Sequence, residues 1–145
     1  MGHLQHRSEE IKIRPMRKDE LIEITKLIHA IFPEIDAETI IKKDDKVTVA
    51  EVDGKRVGFI NFSESMGTGG SISVKGLGVL PEFRSTGVGS ALLKPLFKSG
   101  KPVYLRVSPK NESALVLYEK EGFVVKPRSG SKSGQSLILV RMPEN

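Results

Sequence analysis

The chain has 145 residues, with 23 Lys and Arg against 18 Asp and Glu, for a formal charge of +5 and a pI near 9.5. That length holds one domain with a sizeable core, and the lack of any cysteine excludes disulfides, thiolate zinc sites and cysteine nucleophiles. No apolar stretch is long enough to span a bilayer. The basic residues are scattered and only six Phe and two Tyr are available to stack bases, which favours a solvated basic surface over a nucleic-acid interface.

Residues 1–10 are expected to form a loose polar tail ahead of a domain over 11–145. Met1-Gly2-His3-Leu4-Gln5-His6 has neither the apolar core of a signal peptide nor the Ser or Thr that myristoylation prefers, and a cytoplasmic location is the default. Ile11, Ile13 and Pro15 begin a first strand. Asp19 suits a helix N-cap, and Leu21, Ile24, Leu27, Ile28 and Ile31 follow on one helical face up to Pro33. A short helix is predicted from about Asp36 to Lys43. Val47–Val52, Asp53-Gly54 and Arg56–Phe62 form a strong hairpin signal. The turn Gly67–Gly70 leads into a strand running from Ile72 to Leu80 and stopped by Pro81. Ala91, Leu92, Leu93, Leu96 and Phe97 have helical spacing, although Pro95 removes one N–H and predicts a kink or a short last turn. Pro102–Val107 is a strand, Asn111–Glu121 a helix stopped by Gly122, and Phe123–Val125 and Ser136–Met142 the last two strands, joined by the loop Arg128–Gly134. The order β-α-α-β-β-β-α-β-α-β-β describes an α/β domain with a mixed sheet of about seven strands and about four helices.

Between the fourth strand and its helix lies Arg84-Ser85-Thr86-Gly87-Val88-Gly89-Ser90. A glycine-containing loop that opens a helix leaves backbone N–H groups unpaired at the positive end of the helix dipole, where a phosphate is stabilised, and Arg84 adds a full charge. A dinucleotide fingerprint would need a third glycine where Leu92 stands, and a Walker loop would need Gly-Lys-Ser/Thr; neither is present.

Val79-Leu80-Pro81-Glu82-Phe83-Arg84-Ser85-Thr86-Gly87-Val88-Gly89-Ser90-Ala91-Leu92-Leu93 resembles the acetyl-CoA motif of the GNAT N-acetyltransferase superfamily. Asn111-Glu112-Ser113-Ala114-Leu115-Val116-Leu117-Tyr118-Glu119-Lys120-Glu121-Gly122-Phe123 resembles the block that follows it in that family, and the predicted element order from Ile11 to Met142 is similar to the family fold. The resemblance implies a single-domain GNAT-like fold, its sheet mostly antiparallel and splayed at a slot for acetyl-CoA, with no metal. It implies that amides of Ser85, Thr86, Gly87, Val88, Gly89 and Ser90 hold the CoA pyrophosphate beside Arg84, and that the pantetheine arm bonds to the backbone of Leu77 and Val79. The Leu77 N–H would polarise the thioester carbonyl, with Gly76 and Gly78 forming a bulge there. Asn111 and Ser113 would touch the arm, Asn111 doubling as a helix cap, and the Tyr118 hydroxyl would meet the CoA sulfur. Without the motif, Tyr118 is a core aromatic.

The departure from the family is the general base. Many members carry a glutamate at the positions held here by Ser73 and Arg106, and neither residue can act as a carboxylate. Glu64 and Glu34 are candidate substitutes, while His29 on the first helix reads as a partly exposed structural residue. A lysine amine of pKa about 10.4 needs roughly 4–5 kcal/mol to lose its proton at neutral pH, against about 1 kcal/mol for an α-amine near pKa 8. The missing base therefore favours an N-terminal or other low-pKa amine. Without cysteine, transfer from acetyl-CoA to a primary amine is direct, through a ternary complex. The alternative is a CoA-binding regulatory module with little catalysis. The acceptor's identity stays open, as does homodimerisation.

Overall fold

The computed structural model describes residues 10–35, 41–66, 69–130 and 136–144. Its elements are β1 (Ile11–Pro15), α1 (Leu21–Ile31), β2 (Lys46–Val52), β3 (Lys55–Glu64), β4 (Ile72–Val79), a 3-10 turn (Pro81–Phe83), α2 (Val88–Phe97), β5 (Val103–Val107), α3 (Glu112–Lys120), β6 (Val124–Val125) and β7 (Leu137–Arg141). The strands form a seven-stranded sheet in the order β1-β2-β3-β4-β5-β7-β6. Pairing is antiparallel for β1/β2, β5/β7 and β6/β7 and parallel for β4/β5, so the sheet is mixed. The chain divides into two compact units, residues 1–61 with 76–92 and residues 62–75 with 93–145.

In the first unit, α1 turns Ile24, Leu27, Ile28 and Ile31 inward at i, i+3, i+4 and i+7, onto Val47, Val49 and Phe59. The hairpin between β2 and β3 turns at Asp53 and Gly54, with φ of +50° and +79°, the paired positive values of a type I′ turn. Pro15 ends β1, an edge strand, where its missing N–H breaks no interior ladder.

Two expectations change. The residue at the α1 N-cap is Glu20, not Asp19, and its side chain makes no cap bond. Its carboxylate instead accepts from Arg14 Nη1 at 2.8 Å and Nη2 at 2.5 Å, from Arg56 Nε at 2.5 Å and from the Arg17 N–H at 3.0 Å. Three α-helices rather than about four are present among the described residues. The predicted Asp36–Lys43 helix falls largely on residues 36–40, outside the described set, and residues 41–43 are irregular. The polar tail also lies outside it, apart from Glu10, as do residues 67–68 of the Gly67–Gly70 turn and residues 131–134 of the last loop.

In the second unit, Val103, Leu105 and Val107 of β5 are buried while Tyr104 is half-buried and Arg106 exposed, the alternation of a strand with one covered face. Phe123 packs on Phe97 and Tyr118 with ring centroids 5.9 and 5.6 Å away.

Candidate acetyl-donor and acceptor site

The first unit holds the loop whose sequence reads as a phosphate cradle. β4 runs unbroken to Val79, and its glycines answer to close packing. A Cβ on Gly76 would lie 2.5 Å from Asn61 Oδ1, and one on Gly78 would lie 2.8 Å from both the Phe32 and Phe59 rings. Leu77 sits between them and Val79 follows. Leu80 N–H donates to Val57 O at 2.8 Å, and Pro81 then starts the 3-10 turn in the position where its missing N–H costs nothing.

After that turn the backbone changes hand twice. Ser85 has φ +64° and Gly87 φ +94°, with Thr86 between them on the negative side. Alternating hands turn successive N–H groups toward one concave side, the arrangement that receives anions. Thr86 Oγ1 donates to Phe83 O and Arg84 Nε to Val79 O at 3.3 Å, so both side chains brace the loop. Helix α2 starts at Val88, and the Ala91 amide donates to Gly87 O at 3.0 Å. The amides of Val88 and Gly89 therefore point out of the helix end. Val88 and Ser90 are buried and anchor the start of the helix, whereas Arg84–Gly87 are exposed. Val88 and Leu92 rest on β3 where it carries Gly58, whose added Cβ would meet Val88 Cγ1 at 3.0 Å and Leu92 Cδ1 at 3.3 Å. The helix passes through Pro95 and ends two residues later at Phe97, the short last turn expected.

The second unit holds the Asn111–Phe123 block. Asn111 is the N-cap of α3, its Oδ1 accepting from the Ala114 N–H at 3.2 Å and from Ser113 Oγ at 3.3 Å. At the other end Gly122 has φ +95°, its N–H donates to Glu119 O at 3.1 Å, and the Phe123 N–H donates to Tyr118 O at 2.9 Å. This is a Schellman closure, and the Phe123–Tyr118 ring contact is the apolar clasp that accompanies it. Tyr118 is thus a packed aromatic, 8% exposed, and its burial pushes the phenol up to about 12.

The second unit also contains a cavity of about 480 Å³ lined by Ser73, Val74, Lys75, Tyr104, Leu105, Arg106, Lys126 and Ile138. The β4/β5 ladder consists of Ile72↔Val103 and Ser73↔Tyr104, which sets Ser73 beside Tyr104. The two positions where the family often carries a carboxylate, Ser73 and Arg106, therefore open onto one space. No carboxylate is among its described lining residues. Glu64, a candidate base, pairs with Lys101 Nζ at 2.9 Å, and Glu34 is exposed just beyond α1. His29 is exposed on α1. Lys75, Tyr104 and Lys126 were not singled out in the sequence. Alternation places Lys75 with Ser73 and Tyr104 with Arg106, but Lys126 joins them only through the pairing of β6 with β7.

A family model described as an acetyltransferase (GNAT) domain matches residues 43–125. The chain belongs to the GNAT acetyltransferases, a class of acetyl-CoA-dependent N-acetyltransferases. It is 30% identical over 137 residues to an N-alpha-acetyltransferase of Sulfurisphaera tokodaii (strain DSM 16993), a match covering 81% of this chain and 82% of that protein. In fold it is similar to Arabidopsis thaliana NAA60 in complex with a bisubstrate analogue, with TM-score 0.74, 23% identity, and coverage of 93% of this chain and 99% of that one. It is likewise similar to the ribosomal-protein-S18-alanine N-acetyltransferase from Escherichia coli, with TM-score 0.73, 18% identity, and coverage of 94% and 96%. No metal-holding cluster occurs among the described residues, and none of their helices is long and apolar enough to cross a membrane.

Proposed function

We propose that this enzyme transfers the acetyl group of acetyl-CoA directly to an α-amine, without a carboxylate general base. The observation that carries the reading is the Ser85–Gly87 change of hand at the start of α2, which supplies a concave set of amides suited to a diphosphate. In this reading the amides of Ser85–Ser90 and Arg84 bind the pyrophosphate of the substrate. Leu77 and Val79 offer backbone groups to its pantetheine arm, and the Leu77 N–H faces the thioester oxygen. Asn111, whose Oδ1 is committed to the α3 cap, has its amide NH₂ to offer the arm, with Ser113 beside it. The Tyr118 hydroxyl donates a hydrogen bond to the departing sulfur.

The amine nitrogen attacks the thioester carbon, the C–N bond forms, the C–S bond breaks, and the amine proton passes to water. Nothing among the described residues lining the cavity removes that proton, and its cations oppose a second positive charge there. An acceptor that enters as the free base meets both conditions, and an α-amine does so at far lower cost than lysine. The kinship to an N-alpha-acetyltransferase supports the same choice. A cytoplasmic location belongs to this proposal.

Initial rates of CoA thiol release at pH 7, with an α-amine peptide and with the same peptide blocked at its N-terminus and bearing a free lysine, test it. The α-amine peptide is expected to react at least about tenfold faster. Faster lysine acetylation overturns the acceptor assignment, and no thiol release with any amine overturns acetyl transfer.

A further inference from the structure

We propose that the cavity containing Arg106 and Lys126 is an anion site that selects amine acceptors carrying a carboxylate close to the amine. The inference rests on the acetyl-transfer reading for its function, but the binding site itself stands on the geometry of the second unit. On β5 the buried Val103, Leu105 and Val107 leave Tyr104 and Arg106 on the opposite face. Arg106 is registered with Ile138 of β7, and the Lys126 N–H donates to Ile138 O at 2.7 Å, so the two cations flank one β7 residue. Lys126 Nζ lies 5.8 Å from the centroid of the Tyr104 ring, on the same face. Lys75, two residues beyond Ser73 on β4, completes a set of three cations.

Elsewhere several buried or half-buried carboxylates are paired, Glu20 with Arg14 and Arg56, Glu51 with Arg14, and Glu64 with Lys101. Lys75, Arg106 and Lys126 make no ion pair with any described residue. Three like charges around one cavity repel one another, and an anion between them removes that repulsion. The donors present suit a carboxylate, since a guanidinium fork binds its two oxygens and the ammonium groups and the Ser73 and Tyr104 hydroxyls add further N–H and O–H donors. The volume accommodates a side chain as well as the reacting amine.

The test is calorimetric titration of the CoA-saturated protein with two pentapeptides that differ only in Asp or Asn at the first residue. Free aspartate and asparagine, titrated in parallel, separate a small-molecule source of the carboxylate from a peptide one. The Asp peptide, or free aspartate, is expected to bind at least about tenfold tighter than its neutral partner at low salt, and the advantage to shrink in high salt. Arg106→Gln with Lys126→Gln should bring the ratio to about one, and Arg106→Glu should invert it. Equal binding of acidic and neutral partners by the unmodified protein overturns the inference. So does a preference that the Arg106 and Lys126 substitutions leave unchanged. Thiol release assayed on the same ligands separates the two readings. A protein that binds the acidic ligand selectively but acetylates no amine retains the anion site and loses the activity.

Discussion

Tyr118 is a phenol held in an apolar wall. Burial pushes it up to about 12, which makes proton transfer to a CoA thiolate, whose thiol has pKa about 8.5, uphill by roughly 5 kcal/mol. Donation of a hydrogen bond that strengthens as charge collects on sulfur is the role such a group can perform. Tyr118→Phe keeps the Phe123 contact and is expected to lower kcat by about 10²-fold, the scale for one lost donor to a developing anion, with little change in CoA affinity. Steady-state kinetics beside CoA titration measure the two effects, and unchanged kcat removes Tyr118 from the chemistry. The same shift has a consequence for stability. The neutral phenol is favoured in the folded chain, so its contribution is fully present below the unfolded-state pKa of about 10. It is lost as pH rises toward 12, by roughly 3 kcal/mol. Denaturant melts between pH 9 and 12 should show this loss in the wild type and a smaller one in Tyr118→Phe.

Helix α3 shows how an element delivers such a residue. Its limits are local, with Asn111 accepting the Ala114 amide at one end and Gly122 in the left-handed region at the other, so both were legible in the sequence. Gly122 is needed twice. Its φ of +95° disfavours any side chain, and an added Cβ would approach Arg141 Nε at 3.3 Å. Arg141 Nε donates to Glu121 O at 2.8 Å, and its guanidinium carbon sits 3.8 Å from the Phe97 ring centroid, so it has little freedom to withdraw. Gly122→Ala is therefore expected to cost about 1–2 kcal/mol and several degrees of Tm by circular dichroism. Gly54→Ala, with nothing within 4 Å of its Cβ, serves as the control for the backbone effect alone. The start of α1 departs from the local capping pattern. Asp19 satisfies the local rule, but Glu20 takes the cap position because Arg14 and Arg56, six and thirty-six residues away, hold its carboxylate.

At the scale of the whole chain, Glu20 ties β1, the entry to α1 and β3 together. Hydrogen bonding from Arg14, aided by the Arg17 amide and Arg56, holds its carboxyl far below the usual range despite burial. The stabilisation is present above the unfolded-state pKa of about 4.3 and lost as pH falls toward the depressed folded value. Glu20→Gln is expected to cost about 2–4 kcal/mol at pH 7, and urea melts should show the gap to wild type narrowing below pH 4. A gap that does not change with pH would mean that the ion pairs contribute nothing.

The sequence by itself determined the donor class, through the resemblance of two motifs to a family, and the order of the strands along the chain, the hairpin turn and both ends of α3. The last three are written in contiguous residues through periodicity, turn chemistry and caps. The tertiary structure alone decided that Ser73 and Arg106 open onto a shared cavity and that Lys126 comes over Tyr104. It also decided that Glu64 is held by Lys101. The first depends on the parallel pairing of β4 with β5 and the second on β7 lying between β5 and β6, pairings between distant segments that no local pattern specifies.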